Sequence, residues 1–176
     1  MLTIILETRN NEAELAQSLS ALVSAAVEGL ISDVIVLDHG SDDGSLRVAD
    51  AAGCRFHDLW DLADIIRSAR GEWLLFLEPG ARPTGRWIDD VAEYMALNRE
   101  PAHFSPARLY RKPLLKRLFI RPTPLEHGIL VSRQQASAAV RANSPGDIAK
   151  ALSTRRLSAE IIPAWVATEA RTPLRG

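Results

Sequence analysis

Three polar clusters hold the residues best suited to chemistry in this 176-residue chain: Thr8 to Asn11, Asp38 to Gly44 and Glu78 to Arg82. Each follows an apolar run, so each falls where a strand would hand over to a loop. Asp38 and Asp42 place carboxylates in a glycine-bounded turn. There they either bond the turn's own N–H groups or accept from a ligand. Glu78 is a carboxylate followed by the stiff Pro79 and by Gly80, which brings no ligand. Asp147 is a fourth candidate, preceded by Ser144, Pro145 and Gly146 at what reads as a helix start, where an acid is favoured by the dipole. Positive charge is concentrated elsewhere: Arg108, Arg111, Lys112, Lys116, Arg117 and Arg121 fall in a stretch without an acidic residue. Apolar side chains interleave with them. Residues 108–121 are therefore a solvated edge, a segment drawn to an anionic membrane surface, or a source of arginines that face a phosphate-bearing ligand. Pro113 and Pro122 rule out one continuous amphipathic helix through the run.

Other chemistries do not fit the pattern. His39, His57, His103 and His127 lack metal-ligand spacing, and Cys54, the single cysteine, cannot form an intrachain disulfide. There is no nucleophile elbow, no Gly-x-Gly-x-x-Gly and no P-loop. A net charge of -1 gives no general case for nucleic-acid binding. No window approaches the roughly 20 apolar residues that a membrane span needs. The apolar start, Met1 to Leu6, is too short for a signal-peptide core. With 47% hydrophobic and 24% charged residues, the expectation is a cytoplasmic, reduced, single-domain protein over residues 1–176.

The elements that must position these clusters alternate. Leu2 to Leu6 is an apolar strand, and Glu12 to Glu28 carries Leu15, Leu19, Leu22, Val23 and Ala26 at helical spacing. Asn10 or Asn11 caps that helix and Gly29 ends it. Val34 to Leu37 is a second strand, Ser45 to Ala52 a short helix, and Leu59 to Arg70 another. Trp73 to Leu77 is the third strand, after which Pro79, Gly80 and Pro83 force a loop. Trp87 to Leu97 resumes helical spacing. Beyond Pro101 the spacing predicts a strand at Ile129 to Val131, helices over 134–141 and 145–156, and an extended piece at Ile161-Ile162. Strand–helix alternation implies parallel strands joined by right-handed crossovers. Ligands then bind beyond the carboxyl ends of the strands, where the three clusters sit.

In that order the clusters resemble the motifs of family 2 glycosyltransferases of the GT-A fold. The family's first strand ends in a Thr-x-Asn-x-Glu-like turn, matched by Thr8-Arg9-Asn10-Asn11-Glu12. Its second ends in Asp-Asp-Gly-Ser-x-Asp-Gly-Thr, matched by Asp38-His39-Gly40-Ser41-Asp42-Asp43-Gly44-Ser45. Its third follows Ala-x-Gly-Glu and ends in Asp-x-Asp, matched by Ala69-Arg70-Gly71-Glu72 and Glu78-Pro79-Gly80. Gly128 to Arg133 and Pro145 to Leu152 are similar to later family segments.

The resemblance implies a three-layer α/β/α nucleotide-diphospho-sugar transferase fold with a mostly parallel sheet. Residues 1–97 would be the nucleotide-binding half and 98–176 the acceptor-side half. The implied activity is transfer of a hexose, with inversion, from a nucleotide-sugar donor such as a UDP-sugar. The acceptor would be of the envelope or lipid-linked glycan kind, placing the protein at the inner face of a membrane. By position, Thr8, Arg9, Asn10, Asp38, His39 and Gly40 would bind the nucleotide. Glu78 and Gly80 would lie near the diphosphate, and Asp147 would be the general base. In the third reading of the basic run, Arg117 and Arg121 would face that diphosphate in place of a metal.

Departures from the family pattern bear on catalysis. Relatives hold Mg²⁺ or Mn²⁺ with Asp-x-Asp; here Glu78 alone could hold the ion only if phosphates and water completed its shell. His39 replaces the second acidic residue after the second strand. Asp58, Trp60, Asp61 and Asp64 occupy a stretch that is Gly-rich and basic in the family. A catalytically inactive relative, kept as a binding or scaffolding protein, is the alternative to a transferase.

Overall fold

The computed structural model describes residues 1–110, 123–141 and 143–171. Arg117 and Arg121 lie outside the described residues, as does most of the basic run. The strands are β1 (Leu2–Thr8), β2 (Ile31–Asp38), β3 (Arg55–His57), β4 (Trp73–Leu77), β5 (Arg82–Thr84), β6 (Ala102–Pro106), β7 (Ile129–Ser132) and β8 (Arg155–Ile162). The described helices are α1 (Glu12–Val27), α2 (Ser45–Ala51), α3 (Leu62–Ser68), α4 (Trp87–Leu97), α5 (Arg133–Ala139), α6 (Pro145–Ala151) and α7 (Ala164–Arg171).

All eight strands form one sheet in the order β3-β2-β1-β4-β7-β6-β8-β5. The first four are parallel. β7 runs antiparallel to β4 and β6, β8 is parallel to β6, and β5 closes the edge antiparallel to β8. The parallel strands expected from the sequence thus form one half of a mixed sheet.

Side-chain alternation along the strands builds two cores. Leu2, Ile4 and Leu6 of β1 join Trp73, Leu75 and Leu77 of β4 against Leu15, Leu19 and Leu22 of α1 and Trp87 and Val91 of α4. Ile5, Leu74 and Phe76 face the other way, onto Leu62, Ile65 and Ile66 of α3, Ala136 and Ala139 of α5 and Ile148 of α6. The result is helix, sheet, helix. The unbroken apolar runs of β1 and β4 reflect burial on both faces.

Three local expectations change. The loop expected from Pro79 to Pro83 gives way at Arg82 to β5; Pro83 is tolerated because β5 lies at the sheet edge, where no ladder donor is needed on its open side. The helix expected over 145–156 stops at Ala151, and Arg155 begins β8, whose Leu157, Ala159 and Ile161 are buried in alternation. The helix expected over 59–70 begins only at Leu62, because the Asp61 side chain accepts from the Asp64 N–H at 3.0 Å and caps it.

Two titratable groups inside this fold have testable behaviour. Burial pushes the Cys54 thiol up to about 11, and the Asp33 carboxylate adds to the rise. Cys54 is therefore expected to react with a disulfide reagent at neutral pH far more slowly in the native protein than in urea, because the thiolate is the nucleophile. A native rate within about threefold of the unfolded rate would contradict this placement.

Burial also lowers the pKa values of His57 and His103 below 6.5, helped by Arg55 and Arg156 respectively. Both histidines thus prefer to be neutral in the fold. As pH falls below 6.5, the unfolded chain takes up protons first, so stability present above that pH is lost as it drops through the folded-state values. The urea midpoint should fall between about pH 7.5 and 5.5, and His103→Gln should lessen that fall. An unchanged pH slope in the variant would remove His103 from the account.

Candidate functional site

The ends of β1 and β2 are tied together by reciprocal hydrogen bonds. Asn10, held at φ 53°, accepts from the Asp42 N–H at 2.9 Å, and its own N–H donates to Ser41 Oγ at 2.9 Å. Glu12 Oε2 accepts from the Gly44 N–H at 3.1 Å, while the Glu12 N–H donates to Asp43 Oδ2 at 2.9 Å. Asp43 thereby satisfies a free donor at the start of α1, a role neither Asn10 nor the Asn11 side chain takes. Burial alone would raise the Asp43 pKa, but the bonds it accepts from Ser45 and Glu12 outweigh that and lower it.

Asp38 organises the second turn. It is 4% exposed. Its Oδ2 accepts from the Gly40 and Ser41 N–H groups at 2.9 and 2.8 Å, and its Oδ1 from the Ser41 hydroxyl at 2.5 Å. The Asp42 side chain, by contrast, makes no hydrogen bond among the described residues.

Trp60 donates its indole N–H to the Asp38 carbonyl at 3.1 Å and meets the His39 ring edge-on, with centroids 5.2 Å apart. His39 Nε2 lies 2.5 Å from Glu7 Oε1. A carboxylate offers only acceptors, so the imidazole donates through Nε2, leaving Nδ1 as its remaining polar atom. Asn143 links this corner to α6 by accepting from the Leu62 N–H at 2.6 Å and donating to the Trp60 carbonyl at 3.1 Å.

These contacts frame a cleft of about 470 Å³ at the carboxyl ends of β1, β2 and β4. Glu7, Thr8 and Arg9 line it from the end of β1, His39 from just after β2, Glu78 from just after β4, and Lys150 from α6. Thr8 is 1% exposed, and its hydroxyl finds no partner among the described residues. Of the residues expected at the nucleotide, Thr8, Arg9 and His39 are in the cleft wall, whereas Asn10, Asp38 and Gly40 build the turns behind it. Asp147 stands beside the cleft, paired with Lys150 at 3.0 Å. Ser144 caps α6 by accepting from the Gly146 N–H at 3.2 Å.

The loop after Glu78 is tightly enclosed. Gly80 is buried at φ 97°, and a Cβ there would sit 3.0 Å from both the Ala164 carbonyl oxygen and Ala167 Cβ of α7. Ser18 of α1 accepts from the Gly80 N–H at 2.8 Å and donates to the Ala81 carbonyl at 2.8 Å. Among the described residues, no group of three or more His, Cys, Asp or Glu side chains is placed to hold a metal ion.

Glu7, Lys150 and Trp60 are the site-forming residues that sequence reasoning missed. Glu7 carries a readable signal, as a charged residue at the carboxyl end of an apolar strand. Lys150 reaches the cleft, and Trp60 backs His39, through tertiary packing that no local pattern encodes.

Solved structures with the same arrangement identify the architecture. Glucosyl-3-phosphoglycerate synthase from Mycobacterium tuberculosis, in complex with Mn²⁺, UDP and glucosyl-3-phosphoglycerate, superposes with a TM-score of 0.62 at 17% identity over 89% of this chain and 70% of that one. The chain has the GT-A glycosyltransferase fold. The same GT-A enzyme with Mn²⁺, UDP-glucose and phosphoglyceric acid matches with a TM-score of 0.62 at 18% identity, covering 89% and 69%. S. aureus TarS, residues 1–349, gives a TM-score of 0.64 at 14% identity, covering 89% of this chain and 57% of that GT-A protein. No protein-family model matches the sequence, and no curated protein matches it. No helix among the described residues is long and apolar enough to cross a membrane.

Proposed function

We propose that the cleft binds a nucleotide-sugar donor, a UDP-sugar, and that the chain is an inverting glycosyltransferase. The observation that carries this reading is the convergence of three strand ends and α6 on one cleft, at the carboxyl edge of the parallel strands. The synthase of the same fold was solved with UDP and UDP-glucose, which supports the choice of donor.

In this reading Thr8, Arg9 and His39 contact the nucleotide directly. Asn10, Asp38 and Gly40 hold the turns that present them, and Glu78 stands near the diphosphate. Asp147 takes the proton of the acceptor hydroxyl as its oxygen attacks the anomeric carbon and the nucleoside diphosphate departs. The acceptor is an envelope or lipid-linked glycan. Arg108 to Arg121 holds the protein at an anionic membrane surface, on the cytoplasmic face.

Calorimetric titration with UDP and UDP-glucose tests donor binding, and absence of heat at millimolar ligand would sink it. Turnover that survives Asp147→Asn would remove Asp147 from its role. A second reading, an inactive relative that keeps the cleft for binding, is favoured by one observation: Gly80 stands buried where a metal-holding carboxylate would be. UDP binding without release of UDP from any UDP-sugar would support it.

A further inference from the structure

The enclosure of Gly80 has a chemical consequence for the nucleotide cleft. A side chain at position 80 would have to adopt a left-handed backbone and press on α7, against which the loop is packed. On the other side, the two hydrogen bonds from Ser18, itself 0% exposed, fix the loop to α1. Position 80 thus disfavours a carboxylate by conformation and by packing, while the Ser18 bonds hold the loop in that conformation.

That leaves few oxygen ligands for a divalent ion. Two carboxylates line the cleft: Glu7, which is engaged by His39, and Glu78, which directly follows β4. Mg²⁺ and Mn²⁺ favour about six oxygen ligands, and stable sites anchor them with more than one carboxylate or with phosphate already in place. These residues do not fit a resident metal centre.

The cleft offers fixed cations instead. Arg9, at the end of β1, lines it with no hydrogen bond or ion pair among the described residues. Lys150, on α6, lines it with a single exposed partner, Asp147. An exposed lysine–carboxylate pair holds little energy, so the ammonium can turn to a more strongly charged anion at small cost. A diphosphate is such an anion, and the arginine fork matches phosphate oxygens in pairs.

Resting on the nucleotide reading above, we propose that this cleft takes a nucleoside diphosphate without a divalent ion. Arg9 and Lys150 supply the positive charge, and α7 keeps the metal position closed.

The test is titration of the full chain with UDP, once with Mn²⁺ and once with EDTA. Dissociation constants agreeing within about twofold are expected, with Arg9→Ala and Lys150→Ala each weakening binding by about tenfold in EDTA. Lys150→Arg should restore most of that loss. UDP affinity that rises about tenfold or more with Mn²⁺ would overturn the inference while leaving the proposed function standing. No binding in either buffer would remove both. Full affinity in the two alanine variants would overturn the assignment of charge. Gly80→Asp should gain no Mn²⁺ response, and a Mn²⁺-dependent gain in a folded variant would show that α7 does not close the position.

Discussion

Gly71→Ala should be among the most damaging single substitutions, destabilising the fold by about 3 kcal/mol or more. A Cβ at Gly71 would lie 2.6 Å from the Thr3 nitrogen, 2.8 Å from the Leu2 carbonyl carbon and 2.8 Å from the Met1 oxygen. These are backbone atoms of β1 and of Met1 just before it, which cannot swing aside as a side-chain tip can. Gly71 also donates its N–H to the buried Thr3 hydroxyl at 2.9 Å. Relief of the clash would pull the start of β4 from β1, where Leu2 pairs with Trp73 at the centre of the sheet. Gly53→Ala is the control, since Gly53 has φ 71° but nothing within 4 Å of an added Cβ. It should cost only the left-handed backbone penalty of about 1 kcal/mol. Equal losses in the two urea curves would mean that close approach to β1 is not what position 71 requires.

Gly71 also shows how much of the fold was legible. The Ala-x-Gly-Glu sequence before β4 was readable as a motif, but its physical cause appears only when β1 lies against it. The first half of the chain was read well because β1, β2 and β4 are buried on both faces and announce themselves as apolar runs. α1 and α4 carry their helical periods plainly. β3 and β6 were missed because Arg55–His57 and Ala102–Pro106 are short and mixed, and their pairing partners supply their order. β8 was mistaken at its start for the tail of a helix. Its alternation of Arg156, Leu157, Ser158, Ala159, Glu160 and Ile161 has period two, but the preceding helical residues run into it without a proline or glycine.

The site was legible as a place more than as a set of contacts. Strand-end reasoning located the cleft from Thr8, His39 and Glu78. It did not separate residues that face the cleft from residues that build it, because both kinds are polar and both fall at strand ends. The distinction lies in where the hydrogen bonds go. Asn10 and Glu12 spend theirs on the neighbouring turn, across 32 residues of sequence separation. The acidic stretch at Asp58 to Asp64 departs from the Gly-rich, basic pattern of the family. In the fold Asp61 is a helix cap, Asp64 pairs with Arg67, and Trp60 supports His39.

Asp38 is where these two roles meet, and Asp38→Ala should show it. The carboxylate gathers two backbone N–H groups and one hydroxyl in a site 4% exposed. Removing it strands donors that water reaches poorly, at a cost of about 2–4 kcal/mol. Asp38→Asn should recover only part, because its amide nitrogen would turn a donor toward groups that need an acceptor. Asp42→Ala, whose side chain bonds nothing among the described residues, should stay within about 0.5 kcal/mol of the parent. Binding adds a second readout. Loss of the turn frees His39, Trp60 and the clasp to Asn10 together, so Asp38→Ala should weaken UDP binding though Asp38 does not line the cleft. Amide exchange at Gly40 and Ser41 should accelerate in the same variant. Wild-type stability with lost UDP binding would instead make Asp38 a direct ligand of the nucleotide, and the turn-building account of its carboxylate would fall.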